Sequence, residues 1–217
     1  MARDIAQVAR PKTRRKRAYG EITIDGIVDA ALAIVRRAGV SGLSMRALAD
    51  ELSLSSMATY HYVKDKDELV DLLIDRTLAQ VWLPEVPGGF EARWREHFSR
   101  TRRMFRDYPG LALLAATRFP HGKENRRLNR QISDALKAEG VQDCWTPAII
   151  FLLGTHFFGA VSWDAESGAR LGDVYERNLE DSLTIIFEGI AAKRRSSNNK
   201  APPRKIVMGK DTLEAEA

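Results

Sequence analysis

Residues 145–163, WTPAIIFLLGTHFFGAVSW, carry no formal charge, and this stretch restricts the fold more than any other. As a helix it is long enough to cross a bilayer, which takes about 20 residues. It also holds His156, Thr146, Thr155, Pro147 and two glycines, and no signal-like apolar run precedes it. A helix that is apolar all round can equally be one buried between other helices. We read it as an interface helix of a protein that does not enter a membrane. Paired with a helix over 173–192 and the same pair from a second copy, it makes a four-helix bundle about a twofold axis.

Elsewhere apolar residues recur at helical spacing. Ile24, Ile27, Val28, Ala31, Leu32 and Val35 predict a first helix that Gly39 ends. Ser44 is an N-cap for MRALADEL, with Met45, Leu48, Ala49 and Leu52 facing inward. A very short helix is expected from about Ser56 to Tyr62. Asp65 to Glu68 resembles a capping box and starts a helix running to Val81. Pro84, Pro87, Gly88 and Gly89 then break the chain. Phe90, Trp94, Phe98 and Phe105 keep one helical face over 90–107, a short helix covers 111–118, and Leu128, Ile132 and Leu136 mark another that Gly140 closes. Leu179, Leu183, Ile186, Phe187 and Ile190 mark the last. No segment alternates at strand length, so the chain reads as all-α. Its expected parts are a flexible basic arm (1–21), a three-helix helix-turn-helix domain (22–83), a helical domain (90–195) and a disordered polar tail (196–217).

The net charge is +5, and most of the excess sits at the two ends. That distribution suits an anionic partner. The single cysteine, Cys144, allows no internal disulfide, which fits a reducing compartment, and the expected location is the cytoplasm.

SSMATYHYVKDKDEL, residues 55–69, places Tyr60, His61 and Tyr62 side by side. Successive helical side chains point about 100° apart, so three rings in a row cannot all face one core. Residues 44–62 form helix, tight turn, short helix, a layout whose second helix enters the DNA major groove. Small residues at Ser55, Ser56, Ala58 and Thr59 let that helix approach the groove wall. An exposed ring beside them reaches bases or thymine methyls, and a tyrosine hydroxyl reaches a phosphate. Lys66 opens a helix, where the dipole disfavours a cation. The placement makes sense if a phosphate lies there.

From TIDGIVDAALAIVRRAGV through SLSSMATYHYVKDKDELVDLLI the sequence resembles the DNA-binding domain of TetR-family regulators, most specifically in Tyr60-His61-Tyr62-Val63 with Lys66 and Leu69. The resemblance covers some sixty residues closely. It implies a ligand-responsive homodimer that binds a palindromic operator in double-stranded DNA and releases it when a small-molecule inducer enters the C-terminal domain. It further implies that Arg46 reaches a base or phosphate, that Ser56, Met57, Ala58 and His61 face base edges, that Tyr60 lies near a phosphate or thymine methyl, and that Tyr62 and Lys66 hold phosphates. Two positions depart from the family pattern. Ser53 replaces the usual glycine of the turn, and Ala58 stands where threonine is common, with Thr59 displaced by one. The basic run Arg14, Arg15, Lys16 and Arg17 fits an arm along the backbone or in the minor groove.

Trp94, Phe98, Phe105, Tyr108, Phe119, Phe151 and His156 are the candidate lining of an inducer pocket between helices. At the position where the family's tetracycline-binding members hold magnesium through a histidine, this chain has Leu114 or a neighbour, so tetracycline with magnesium is not implied. The histidines at 61, 97, 121 and 156 lack metal-ligand spacing. There is no Gly-rich phosphate loop and no enzyme signature, so neither cofactor nor catalysis is expected. The competing reading is a helical small-molecule-binding or adaptor protein with a vestigial helix-turn-helix.

Overall fold

The computed structural model describes residues 22–118 and 121–195, the side chains of 165–171 and 195 excepted. The fold is all-α, with no strand among the described residues. In chain order the helices are α1 (Ile24–Ala38), α2 (Met45–Leu52), α3 (Ser56–Thr59), α4 (Lys66–Leu78), α5 (Gly89–Phe105), α6 (Leu111–Arg118), α7 (Lys123–Ala138) and α8 (Thr146–Arg195).

The first four helices start where the sequence supplies a capping oxygen. Thr23, Ser44, Ser55 and Asp65 accept from the backbone N–H of Gly26, Ala47, Ala58 and Glu68 at 3.1, 3.0, 3.2 and 2.8 Å. Each satisfies one of the donors that a helix start leaves open. At α4 the Glu68 carboxylate reaches back to the Lys64 N–H at 2.5 Å, a capping box displaced by one residue. α3 is shorter than its sequence suggests and α4 ends three residues before Val81. Residues 60–62 continue α3 only as a turn.

α8 is one helix by hydrogen bonding but two limbs in space, because Gly172 has φ 45° and ψ −136°. The limbs fold back on each other. The Tyr175 hydroxyl donates to the Ala160 carbonyl at 2.7 Å, and His156 Nε2 lies 2.7 Å from Ser182 Oγ. Arg102 on α5 ties the hairpin together. Its guanidinium bonds Asp164 on the first limb and Glu176 on the second, and it lies over the Tyr175 ring.

One apolar cluster runs through the whole assembly, from Ile27 and Leu48 through Leu73 and Leu78 to Phe98, Leu136, Leu153 and Ile190. α4 is shared property: it packs on α1 and also on α6 and α7. Polar contacts reinforce this. Arg118 at the end of α6 grips Asp67 and Asp71. The Asp75 carboxylate accepts from the Glu124 N–H at 2.9 Å, and Arg127 Nη2 donates to the Leu78 and Val81 carbonyls at 3.1 and 2.7 Å. α1 is held from the other side, since Arg36 donates to the Tyr108 hydroxyl at 2.7 Å and the Val40 N–H to the Pro109 carbonyl at 2.9 Å.

The segment Asp143–Asp164 passes the length and hydropathy test for a membrane span. Its inner side is packed: Ile149, Leu153, Phe157 and Val161 are buried. Phe151, Leu152 and Trp163 remain exposed on it, as do Val174 and Ile185 on the second limb. The hairpin therefore has one apolar side in the core and another outside it.

Candidate nucleic-acid interface and ligand cavity

α2 ends in a Schellman-type turn that aims α3. Ser53 takes left-handed angles, φ 58° and ψ 38°. The Leu54 N–H then reaches the Ala49 carbonyl at 2.8 Å and the Ser53 N–H the Asp50 carbonyl at 3.2 Å. Ser53 is the one non-glycine residue with positive φ among the described residues. A side chain in that region costs roughly 1–2 kcal/mol. Glycine relieves this but adds flexibility to the unfolded chain. Ser53→Gly is expected to stabilise the fold by about 0.5–1 kcal/mol, a rise of roughly 1–4 °C in melting temperature. Calorimetry of both proteins checks this, and an unchanged or lowered Tm counts against a strained turn.

The side chains of the turn and α3 divide cleanly. Ser55, Ser56, Met57, Tyr60 and His61 are exposed, Met57 at 75% and Tyr60 at 50%. Ala58 is half-buried. Tyr62 is half-buried against the core and Val63 is fully buried. The row of rings is thus resolved: two face solvent and the third packs inward along its body. Arg46 in the first turn of α2 and Lys66 at the start of α4 are exposed beside them in sequence. The expectation for Thr59 needs correcting. Its side chain is 0% exposed and its hydroxyl donates to the Ser56 carbonyl at 2.7 Å. It anchors α3 from beneath and offers nothing to a ligand. Arg14, Arg15, Lys16 and Arg17 lie outside the described residues.

The six described candidates among the seven aromatic and histidine residues of the second half do not line one common recess. Phe98 and Phe105 interlock with Phe157, with ring centroids at 5.4 and 6.0 Å. Tyr108 is buried against Arg36 at the α1 contact. Phe151 is 47% exposed on the outer side of the first limb. Phe119 lies outside the described residues. Core packing or the outer surface claims Phe98, Phe105, Tyr108 and Phe151, and none of these four lines either recess described below. His156 lines an open groove of about 380 Å³ between the limbs of α8, with Trp163, Tyr175 and Asn178. Burial pushes its imidazole below the ordinary 6.5.

Trp94 lines the other recess, a small cavity of about 50 Å³ enclosed by α4, α5, α7 and α8. Leu78, His97, Thr101, Asn125, Asn129 and Phe157 contribute to its wall. The sequence reading missed His97, Thr101 and the two asparagines. A signal existed: His97 and Thr101 stand three and seven residues after Trp94, on the apolar face of α5. His97 is buried, which pushes its imidazole below 6.5 against the opposing effect of its bond to the Trp82 carbonyl. Among the described residues no group of acidic, His or Cys side chains is disposed to hold a metal ion.

Residues 27–73 match the family described as bacterial regulatory proteins, tetR family. An HTH-type transcriptional regulator from Saccharopolyspora erythraea is 34% identical over 156 residues, covering 70% of this chain and 64% of that protein. The HTH-type transcriptional repressor DrrR1 of Streptomyces coeruleorubidus is 29% identical over 141 residues, covering 64% of this chain and 52% of its own length. The chain therefore spans less than two thirds of either relative. Apo ActR from Streptomyces coelicolor superposes with a TM-score of 0.73 at 27% identity, covering 82% of this chain and 98% of ActR. ActR is also known in complex with actinorhodin, and that structure superposes with a TM-score of 0.72.

Proposed function

The chain belongs to the TetR family of bacterial regulators, and on that premise we propose that it is a homodimeric, sequence-specific DNA-binding repressor released from its operator by a small molecule. The observation that carries this reading is the solvent-facing set Ser56, Met57, Tyr60 and His61 on a short helix locked from beneath by Thr59, with Lys66 exposed at the adjoining helix start. Small polar and flat side chains suit base edges. Lys66 and the first N–H groups of α4 suit a phosphate. A regulator of this kind works where the chromosome is, in the cytoplasm.

The outer face of the α8 hairpin supports the dimer. Phe151, Leu152, Trp163, Val174 and Ile185 would be covered by the same face of a second copy, giving four helices about a twofold axis. Two α3 helices then meet two half-sites. In-vitro selection of random duplex DNA at about 150 mM salt, where non-specific binding is weak, tests the reading. An enriched palindrome supports it. No enrichment from folded, dimeric protein overturns it.

The route from ligand to DNA runs through α4. Its last residue, Leu78, forms part of the cavity wall, and α7, which forms another part, is bonded to α4 through Arg127 and Asp75. A ligand that widens the cavity shifts α7 and α4 together, and Lys66 moves with α4. Arg127→Met keeps the packing stem and removes the bonds to the Leu78 and Val81 carbonyls. Operator affinity without ligand is expected to hold within about threefold. The ligand-induced drop in affinity should shrink, since coupling of this kind is worth about 1–3 kcal/mol. Undiminished release by the same ligand would exclude this route.

A further inference from the structure

Three polar side chains on one face of α5 line the small cavity, and their chemistry restricts what can enter it. Trp94, His97 and Thr101 are 3%, 3% and 1% exposed. The Trp94 indole N–H and the Thr101 hydroxyl have no hydrogen-bond partner among the described residues. Leaving a buried polar group unpaired is costly, so two such groups lining one cavity point to a polar occupant. His97 Nδ1 lies 2.9 Å from the Trp82 carbonyl, which can only accept. The proton is thereby assigned to Nδ1, and Nε2 is left as an acceptor. Beside the carboxamides of Asn125 and Asn129, the wall therefore offers one obligate donor, one acceptor and one hydroxyl able to do either. The rings of Trp94, His97 and Phe157 are in contact, with centroids 5.0 and 6.3 Å apart, and Phe158 completes the aromatic side. Among the described residues no Lys, Arg, Asp or Glu lines the cavity. A charged ligand would lose its hydration there with nothing to replace it.

We infer that the small molecule admitted at this site is an uncharged, flat aromatic compound with a hydroxyl group, which accepts from Trp94 Nε1–H and donates to His97 Nε2. This rests on the inducer reading above and narrows it. At about 50 Å³ the cavity is smaller than the 300–1,000 Å³ usual for ligand pockets, so binding must widen it.

Three probes sharing one ring system decide it: 1-naphthol, which is neutral and can donate and accept; 1-methoxynaphthalene, which only accepts; and 1-naphthoate, an anion. Each is titrated calorimetrically into the full chain at neutral pH. Naphthol is expected to bind at least about tenfold tighter than the methyl ether and about 100-fold tighter than naphthoate, since sites built to hydrogen-bond a hydroxyl reject analogues lacking it. Thr101→Val removes an unpaired buried hydroxyl with little change of shape. It should raise the melting temperature of the ligand-free protein. Trp94→Phe should weaken naphthol binding about tenfold. Equal or tighter binding of naphthoate, no binding by any probe, or naphthol affinity unchanged in Trp94→Phe would each overturn the inference. Operator binding measured on the same samples separates the two readings. If the chosen palindrome is bound while the probes show no such order, the ligand class is wrong. If no DNA site is preferred, the regulator reading fails.

Discussion

Replacing Lys66 with alanine is expected to weaken operator binding about 100-fold while leaving the fold slightly more stable. A charge-assisted hydrogen bond to phosphate is worth about 1.5–3 kcal/mol, and a twofold dimer loses it at both half-sites. A total near 3 kcal/mol corresponds to about two decades in Kd. The salt dependence should flatten too, by about one unit of log–log slope for each lysine removed. Stability moves the other way. Lys66 is exposed in the first turn of α4, where the helix dipole opposes a cation by about 0.3–1 kcal/mol, and alanine is the better helix former. Opposite signs in the two measurements, electrophoretic mobility shift and thermal melting, are diagnostic. An unchanged Kd would mean that α4 does not hold a phosphate.

Arg102→Met is expected to have the largest effect on stability. Arg102 and Asp164 are 12% and 6% exposed, and the guanidinium makes two bonds to the Asp164 carboxylate. Methionine keeps the stem but strands a buried carboxylate. Breaking one side of such a pair costs about 3–5 kcal/mol, or roughly 10 °C in Tm for a chain of this size. Replacing Asp164 by leucine in the same protein should recover most of the loss, because two apolar residues need no counter-charge. Failure of that double variant to recover would show that the pair does more than satisfy itself. The acid side carries a second signature. Arg102, through its hydrogen bond above all, holds the Glu176 carboxyl below its ordinary 4.5. Such a group contributes stability that is fully present above pH 4.5 and lost as pH falls through the depressed value. Wild type should therefore lose stability below pH 4.5 more steeply than Arg102→Met.

The parts of this fold legible in the sequence are those fixed locally. Thr23, Ser44, Ser55 and Asp65 each cap a helix within three residues of themselves, so the starts of α1 to α4 can be read directly. Ser53 was legible as an odd residue in its turn for the same reason. What depends on the inward or outward sense of a helix was harder. Thr59 is small and polar like its neighbours, and only the packing of α3 on α2 shows that it points down. Along the uncharged stretch 145–163 of the first limb of α8 every side is largely apolar, so nothing in the sequence distinguishes exposed Phe151 from buried Phe157. The cavity was invisible because it is made of four helices at once. Large aromatics were the natural candidates for its wall, yet Phe98, Phe105 and Tyr108 are consumed by core packing, while His97, Thr101 and the asparagines supply the polarity. The break at Gly172 lies between two helices that the apolar pattern did separate; the pattern did not show that helical backbone continues up to it.

The shared position of α4 bears on protein engineering. Hybrid regulators are made by joining the reader of one protein to the sensor of another, and the Pro-Gly stretch after Val86 looks like the natural seam. It is a poor one here. α4 belongs to the helix-turn-helix half by sequence, but its Asp67, Asp71 and Asp75 are matched to Arg118 and the start of α7, and its Leu78 is a wall of the cavity in the other half. A chimera cut at the seam would join an α4 from one parent to an α6 and α7 from the other. On the regulator reading proposed above, it is expected to keep DNA recognition and lose its response to the ligand. Transplanting the α4 acidic side together with its α6 and α7 partners is the smallest exchange that preserves both.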